Sequence, residues 1–284
     1  MRRIIELKKF SHPALLMARA ASTFFKNGKG NLPDITIQLT SACIEEDVVK
    51  RYQKVCGFED KIFIPATFLH AYIFPLHSEL LCQPEVQFPA PGLIHFANSI
   101  KQHRPLCFGE IFSISCSFGN LIAHEKGQGF EVLSYIRSGG QLIWEEESIY
   151  LFKGEEGIGK VLEWKQPTLS DQSIKESWDL SKNLGLEFAM ASGDFNPIHL
   201  HPISAKLFGF ERHIIHGMWS VGKILSIFEK RIGKSFELTV SFKTPIFLPQ
   251  YVIFRHENTE DEFNFDVVDR TQEKPHLKGF LRRL

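Results

Sequence analysis

Apolar residues in the C-terminal half of this 284-residue chain follow two different periods. Between His216 and Arg231, the residues Met218, Val221, Ile224, Leu225 and Phe228 recur at three- and four-residue steps, which lines them along one helical face. Gly233 predicts the stop. Beyond it, Phe236–Phe242, Tyr251–His256 and Glu262–Val268 read as strands separated by turns, with His276–Leu281 as a further short strand. Upstream, residues 192–202 are crowded with the turn formers Gly193, Asp194, Asn196, Pro197 and Pro202, and a short helix over Ser204–Phe208 ends at Gly209. The N-terminal half repeats this order more weakly. Thr67–Leu81 predicts a helix kinked at Pro75, followed by strand candidates at Gly92–Ile100, Glu110–Phe118, Gly129–Arg137 and Gln141–Phe152. A faint echo, Phe96-x-Asn98-x-Ile100 against Phe242-x-Thr244-x-Ile246, agrees with two copies of one helix-plus-antiparallel-sheet unit. The glycine-rich run Gly154–Lys160 places the join within residues 154–172.

The length suits two lobes of about 130 residues each. Hydrophobic residues at 43% and charged residues at 23% are those of an ordinary soluble globular chain. Phe occurs 26 times against 5 Tyr, which fits either a Phe-rich core or an apolar cavity for a greasy ligand. Lys plus Arg equals Asp plus Glu at 33 each, so no overall field points to nucleic acid. Residues 1–30 form a basic extension, with Arg2, Arg3, Lys8, Lys9, Arg19, Lys26 and Lys29 against Glu6. Its apolar stretch Ala14–Ala21 is too short to span a bilayer and is interrupted by Arg19. A plain structural helix is expected there, with a contact to a lipid surface left open. The five cysteines are odd in number, with no C-x-x-C pair and no Cys/His metal spacing. Reduced thiols in a cytoplasmic protein are expected, and neither a metal site nor a cofactor.

Candidate chemistry concentrates in Ala191-Ser-Gly-Asp-Phe-Asn-Pro-Ile-His-Leu-His201. Pro197 lacks an N–H and pushes Asn196 out of helical dihedrals, so Asp194 and His199 sit on a fixed bend. A bend can aim a carboxylate and an imidazole at one water molecule as a general acid/base pair. The same residues could equally cap a turn with His199 at the surface. Seventeen residues on, His216-Gly217-Met218 opens the apolar helix, whose first N–H groups lack partners within it. Gly217 would let a ligand approach that end closely, and its N–H could hold an oxygen gaining negative charge.

With Ala205 between them, Gly193-Asp194-x-Asn196-Pro197-x-His199 and His216-Gly217-Met218 resemble the signature of the MaoC-like (R)-specific enoyl thioester hydratases. Pro65-Ala-Thr-Phe-Leu-His70, Phe74-Pro75-Leu76 and Pro91-Gly-Leu-Ile-His95 resemble the N-terminal lobe of the double hot-dog members. The resemblance implies an α+β double hot-dog: two antiparallel sheets, each wrapped around a central helix, packed as a pseudo-dimer. It implies a silent lobe over 31–160 that accommodates the acyl chain, and an active lobe over 161–284. It makes Asp194 and His199 the catalytic pair and the Gly217 N–H the oxyanion donor, with Asn196, Gly193 and His216 in support. His70, His77 and His95 are expected to be structural. The implied reaction is reversible hydration of a trans-2-enoyl thioester, carried on CoA or acyl carrier protein, to the (3R)-3-hydroxyacyl thioester. A hot-dog acyl-CoA thioesterase and a non-enzymatic acyl-thioester-binding module are the competing readings. No transmembrane segment is expected, and the paired lobes would let the chain act as a monomeric pseudo-dimer or as a homodimer.

Overall fold

The computed structural model describes residues 2–59 and 62–284. In chain order the elements are β1 (Arg3–Leu7), α1 (Pro13–Ser22), β2 (Ile35–Ala42), α2 (Glu46–Cys56), β3 (Phe63–Ile64), α3 (Ala66–Leu81), β4 (Ile94–Gln102), β5 (Leu106–Cys107), β6 (Phe112–His124), β7 (Gly127–Ser138) and β8 (Gln141–Lys153). There follow β9 (Lys160–Val161), β10 (Ile174–Leu180), α4 (Leu184–Ser192), α5 (Pro202–Leu207), α6 (Gly217–Ile232), β11 (Phe236–Phe242), β12 (Gln250–Asn258), β13 (Glu262–Asp269) and β14 (Pro275–Arg283). The expected long helix and the strands after it all form, and α3 continues through Pro75.

The chain forms two compact units, which are not consecutive halves. The first holds residues up to Cys43, Tyr72–Asn98 and Gly109–Trp164; the second holds Ile44–Ala71, Ser99–Phe108 and Lys165–Leu284. In the first unit the strand order is β1-β2-β6-β7-β8-β4, with β1 parallel to β2 and the β2–β6, β6–β7 and β7–β8 pairs antiparallel. Residues 72–81 of α3 lie against this sheet through the buried Ile73, Leu76 and Leu80. His77 joins them. Its Nδ1 meets the Tyr150 hydroxyl at 3.0 Å and its Nε2 the Ser134 hydroxyl at 2.8 Å, so both ring nitrogens are spent inside the core. The basic extension is part of this unit, as β1 and α1.

The second unit carries the antiparallel order β11-β14-β13-β12-β10. Helix α6 packs on it. The Phe228 ring lies 4.7 Å from Phe263, 5.2 Å from His256 and 6.2 Å from Phe254, and Met218, Val221, Ile224 and Leu225 are buried with it. One long apolar helix held by an antiparallel sheet is the hot-dog arrangement, and both units show it.

Helix α2, which the hydrophobic pattern did not reveal, covers the other side of α6. Glu46 and Asp47 in its first turn and Lys54 in its last complement the helix dipole, and Gly57 closes it at φ 86°. Trp219 Nε1 donates to the Val55 carbonyl at 3.0 Å, and the Ser226 hydroxyl donates to that of Cys56 at 2.9 Å. Gly222 makes the approach possible: a Cβ there would stand 2.8 Å from the Tyr52 hydroxyl and 2.9 Å from Cys56 Sγ. No helix among the described residues is long and apolar enough to cross a membrane.

Candidate active site

The site grows from the end of α4. Gly193 terminates that helix at φ 79°, a left-handed conformation that glycine adopts without steric cost, and its N–H donates to the Ala189 carbonyl at 2.8 Å. The reversal throws Asp194 off the helix axis. Asp194 Oδ1 accepts the Asn196 N–H at 3.1 Å, closing a small side-chain turn. Asn196 Oδ1 caps the one-turn 3-10 helix Pro197–His199 by accepting the Ile198 N–H at 3.4 Å, and Pro197 takes the first helical position. The Ser204 hydroxyl donates to the Pro197 carbonyl at 2.7 Å and ties the turn to α5.

Two contacts then set His199. A Cβ on Gly185 would stand 2.1 Å from the His199 carbonyl oxygen, so α4 lies directly against the turn. On the other side, His199 Nδ1 donates to the Ile214 carbonyl at 2.9 Å. Because a carbonyl can only accept, Nδ1 carries the proton and Nε2 keeps a lone pair. The strand-like segment that supplies Ile214 is itself fixed, through Ile215 N–H to the Ile246 carbonyl at 2.9 Å and Leu248 N–H to that of His213 at 3.0 Å. His213 Nε2 donates to the Lys182 carbonyl at 2.7 Å, a structural role.

His216, expected only in support, stands at the centre of the cluster. Its ring stacks on that of His199 with centroids 3.6 Å apart, and Phe188 covers it at 4.9 Å. Its Nε2 donates to the backbone carbonyl of Asp194 at 3.0 Å and lies 3.7 Å from the Asp194 carboxylate. One donor atom each from Asp194, His199 and His216 falls within 4.8 Å of the others. Such a group could hold a divalent cation, with His216 Nε2 engaged in this arrangement by the Asp194 carbonyl. His199 and His216 are buried, whereas 32% of the Asp194 side chain remains exposed. The carboxylate is thus the cluster's opening to solvent.

Charge follows from this placement. Burial pushes the His199 ring down to about 3, and the neighbouring His216 adds to the shift against the opposing pull of Asp194. Burial lowers His216 as well, with Asp194 opposing. Burial works to raise the Asp194 carboxyl, but His216, His199, the Asn196 N–H and His70 outweigh it and hold it below the usual range. At neutral pH the cluster therefore holds one carboxylate and two neutral rings.

Gly217 and Met218 open α6 beside this cluster, and their N–H groups precede any acceptor within the helix. Backbone dihedrals do not demand glycine at 217. Space does: a Cβ would stand 2.6 Å from Cε1 of Phe242. The glycine thus seats the helix start on β11, in addition to the ligand access expected of it.

Comparison with known proteins places these residues in context. The family model described as a MaoC like domain matches residues 166–278, a span that contains Asp194, His199, His216 and Gly217. The (R)-specific enoyl-CoA hydratase of Aeromonas caviae is 36% identical over 105 residues, covering 32% of this chain and 75% of that protein. The chain belongs to the MaoC-like dehydratase family. Likeness to the MaoC-like proteins also extends over nearly the whole length. 3-Hydroxyacyl-thioester dehydratase X of Mycobacterium tuberculosis is 28% identical over 279 residues, 95% of this chain and 97% of that one. The crystal structure of HtdX from the same organism superposes with a TM-score of 0.76 at 25% identity, covering 88% of this chain and 100% of that one. The fold is that of the MaoC-like hot-dog dehydratases.

Proposed function

We propose that this chain is a hydro-lyase that adds water reversibly to trans-2-enoyl thioesters, giving (3R)-3-hydroxyacyl thioesters in fatty acid metabolism. The observation that carries the reading is the juxtaposition of an ionised, partly exposed Asp194 with a neutral His199 whose Nε2 lone pair is set free by the Ile214 carbonyl. The names of the two relatives, a 3-hydroxyacyl-thioester dehydratase and an (R)-specific enoyl-CoA hydratase, agree with it.

In this reading Asp194 and His199 hold one water molecule between them. Its oxygen bonds to C3 of the enoyl group as the C2–C3 double bond opens, and one proton of the water passes to the pair. The pair returns a proton to C2 on the same face, so the elements of water are added and nothing else is consumed. Charge that develops on the thioester oxygen meets the Gly217 N–H at the positive end of α6. His216 holds the Asp194 backbone and the His199 ring in place; Asn196 and Gly193 shape the bend. The acyl group arrives on CoA or acyl carrier protein. Five free cysteines, two of them exposed, agree with a reducing, cytoplasmic setting.

The test is a spectrophotometric assay at the enone band with enoyl-CoA substrates of several lengths, run beside a thiol-release assay. Loss of enone absorbance without thiol release is expected. Asp194→Asn should lower the rate by about 10²- to 10⁴-fold with an unchanged thermal melt. Thiol release as the main activity would install the thioesterase reading, and binding with no absorbance change would install the binding module.

A further inference from the structure

Within the first unit, the segment from Pro13 to Phe25 exposes apolar surface on a scale that packing in that unit does not explain. In α1 only Leu16 is buried. Its outward arc, Pro13, Ala14, Leu15, Met17, Ala18 and Ala21, is exposed throughout and carries no charge. The single charged residue of the helix, Arg19, pairs with Glu79 at 2.5 Å. The 3-10 turn Thr23–Phe25 that follows holds Phe24 at 66% and Phe25 at 92% exposure, their rings edge to face at 5.5 Å. Leu15 and Met17 are 54% and 55% exposed. Together these four side chains leave on the order of 500 Å² of apolar surface in water.

The segment is pinned on either side of the two phenylalanines. The Thr23 hydroxyl donates to the Ala20 carbonyl at 2.6 Å and accepts the Ala90 N–H at 2.8 Å. Lys26 Nζ donates to the carbonyls of Leu81 and Gln83 at 3.3 and 3.1 Å.

Charge indicates what covers this surface. The chain as a whole is neutral, yet residues 2–29 carry seven Lys or Arg against one Glu. Arg3, Arg19 and Lys29 pair with Glu85, Glu79 and Glu155. Arg2, Lys8 and Lys9 are exposed on the same segment. An uncharged helical arc tipped by two aromatic rings, with the exposed Arg2, Lys8 and Lys9 preceding it in the chain, matches the interface of an anionic bilayer, which takes apolar side chains at acyl depth and cations at headgroup depth. We propose that α1 and the Phe24–Phe25 turn are a docking surface for an anionic lipid membrane, holding the protein peripherally. The inference is independent of the reaction assigned above.

The test floats the full chain with vesicles of phosphatidylcholine, or of phosphatidylcholine with about one third phosphatidylglycerol. The protein should rise with the anionic vesicles and be released by high salt. Phe24→Ser combined with Phe25→Ser should lower the bound fraction about tenfold while leaving the thermal melt unchanged, since both rings lie in solvent. Leu15→Ser with Met17→Ser gives a second, separately folded check with the same expected sign. The proposal is overturned if the wild-type protein stays behind with anionic vesicles. It is also overturned if both variants float as well as the wild type, or if sedimentation shows a dimer that the phenylalanine substitutions dissolve, which would assign the patch to a second copy of the chain.

Discussion

Gly185 precedes Asp194 by nine residues and has no side chain to offer the site, yet replacing it with alanine should disable that site. Gly185 is the second residue of α4, and alanine's advantage over glycine, about 0.8–1.0 kcal/mol in a helix interior, is at most that in the first turn, so local propensity alone predicts no loss of stability. The tertiary contact decides otherwise. The new Cβ would stand 2.1 Å from the His199 carbonyl oxygen, a backbone atom that cannot rotate away. Restoring an ordinary separation requires α4 and the Pro197–His199 turn to part by roughly 1 Å. Overpacking of that kind costs about 1–3 kcal/mol, which exceeds the propensity gain or at least cancels it. The larger effect is on geometry. The turn carries His199, whose Nδ1 bond to Ile214 is 2.9 Å long, and a misplacement near 1 Å can cost about 100-fold in rate. Enone-band assays should therefore show kcat down by about two decades, with a melting temperature lowered by a few degrees at most. Gly193 supplies the control. It needs its positive φ of 79°, but a Cβ there would meet nothing within 4 Å, so Gly193→Asn should retain most activity. A Gly185→Ala protein with wild-type kcat would refute the idea that α4 positions the Pro197–His199 turn for the proposed reaction.

Three further outcomes are expected. His199 and His216 are neutral in the fold but titrate near 6.5 when unfolded, so the unfolded chain binds more protons as pH falls and stability is lost below about pH 6.5; His199 alone contributes roughly 2 kcal/mol between pH 6.5 and 5. Urea melts across that range should show the acid limb, and His199→Asn should flatten it; an identical slope in the variant would contradict the burial argument. His77→Leu should lower stability by about 1–3 kcal/mol, because the Tyr150 and Ser134 hydroxyls lose a buried partner, while kcat in the folded fraction stays at the wild-type level; a selective loss of kcat would show that the ring has a catalytic part. Gly217→Ala should cost less stability than Gly185→Ala, since it meets a phenyl ring edge at 2.6 Å, but should still lower the rate by crowding the start of α6, which parallel melts and rate assays would separate.

The linear chain determined the local pieces. Period marked the face of α6 that meets the sheet, because Met218, Val221, Ile224, Leu225 and Phe228 recur at three- and four-residue steps, and turn formers between apolar runs marked β11 to β14. The bend at Asp194–His199 was legible because Gly193, Asn196 and Pro197 act on the backbone within a few residues of themselves. Other elements left little trace. Strand β10 exposes four of its first five residues and buries only Trp178 and Leu180, and α4 is apolar on nearly every side, so neither shows a clean period. Tertiary structure alone decided the electrostatics of the site. His216 reaches His199 from 17 residues away, the Ile214 carbonyl chooses the tautomer, and Gly185 seats the turn. It also decided that α2, far upstream, belongs to the unit that holds α6. These are contacts between surfaces brought together by burial, and burial depends on the whole packed unit, which no short stretch of sequence encodes.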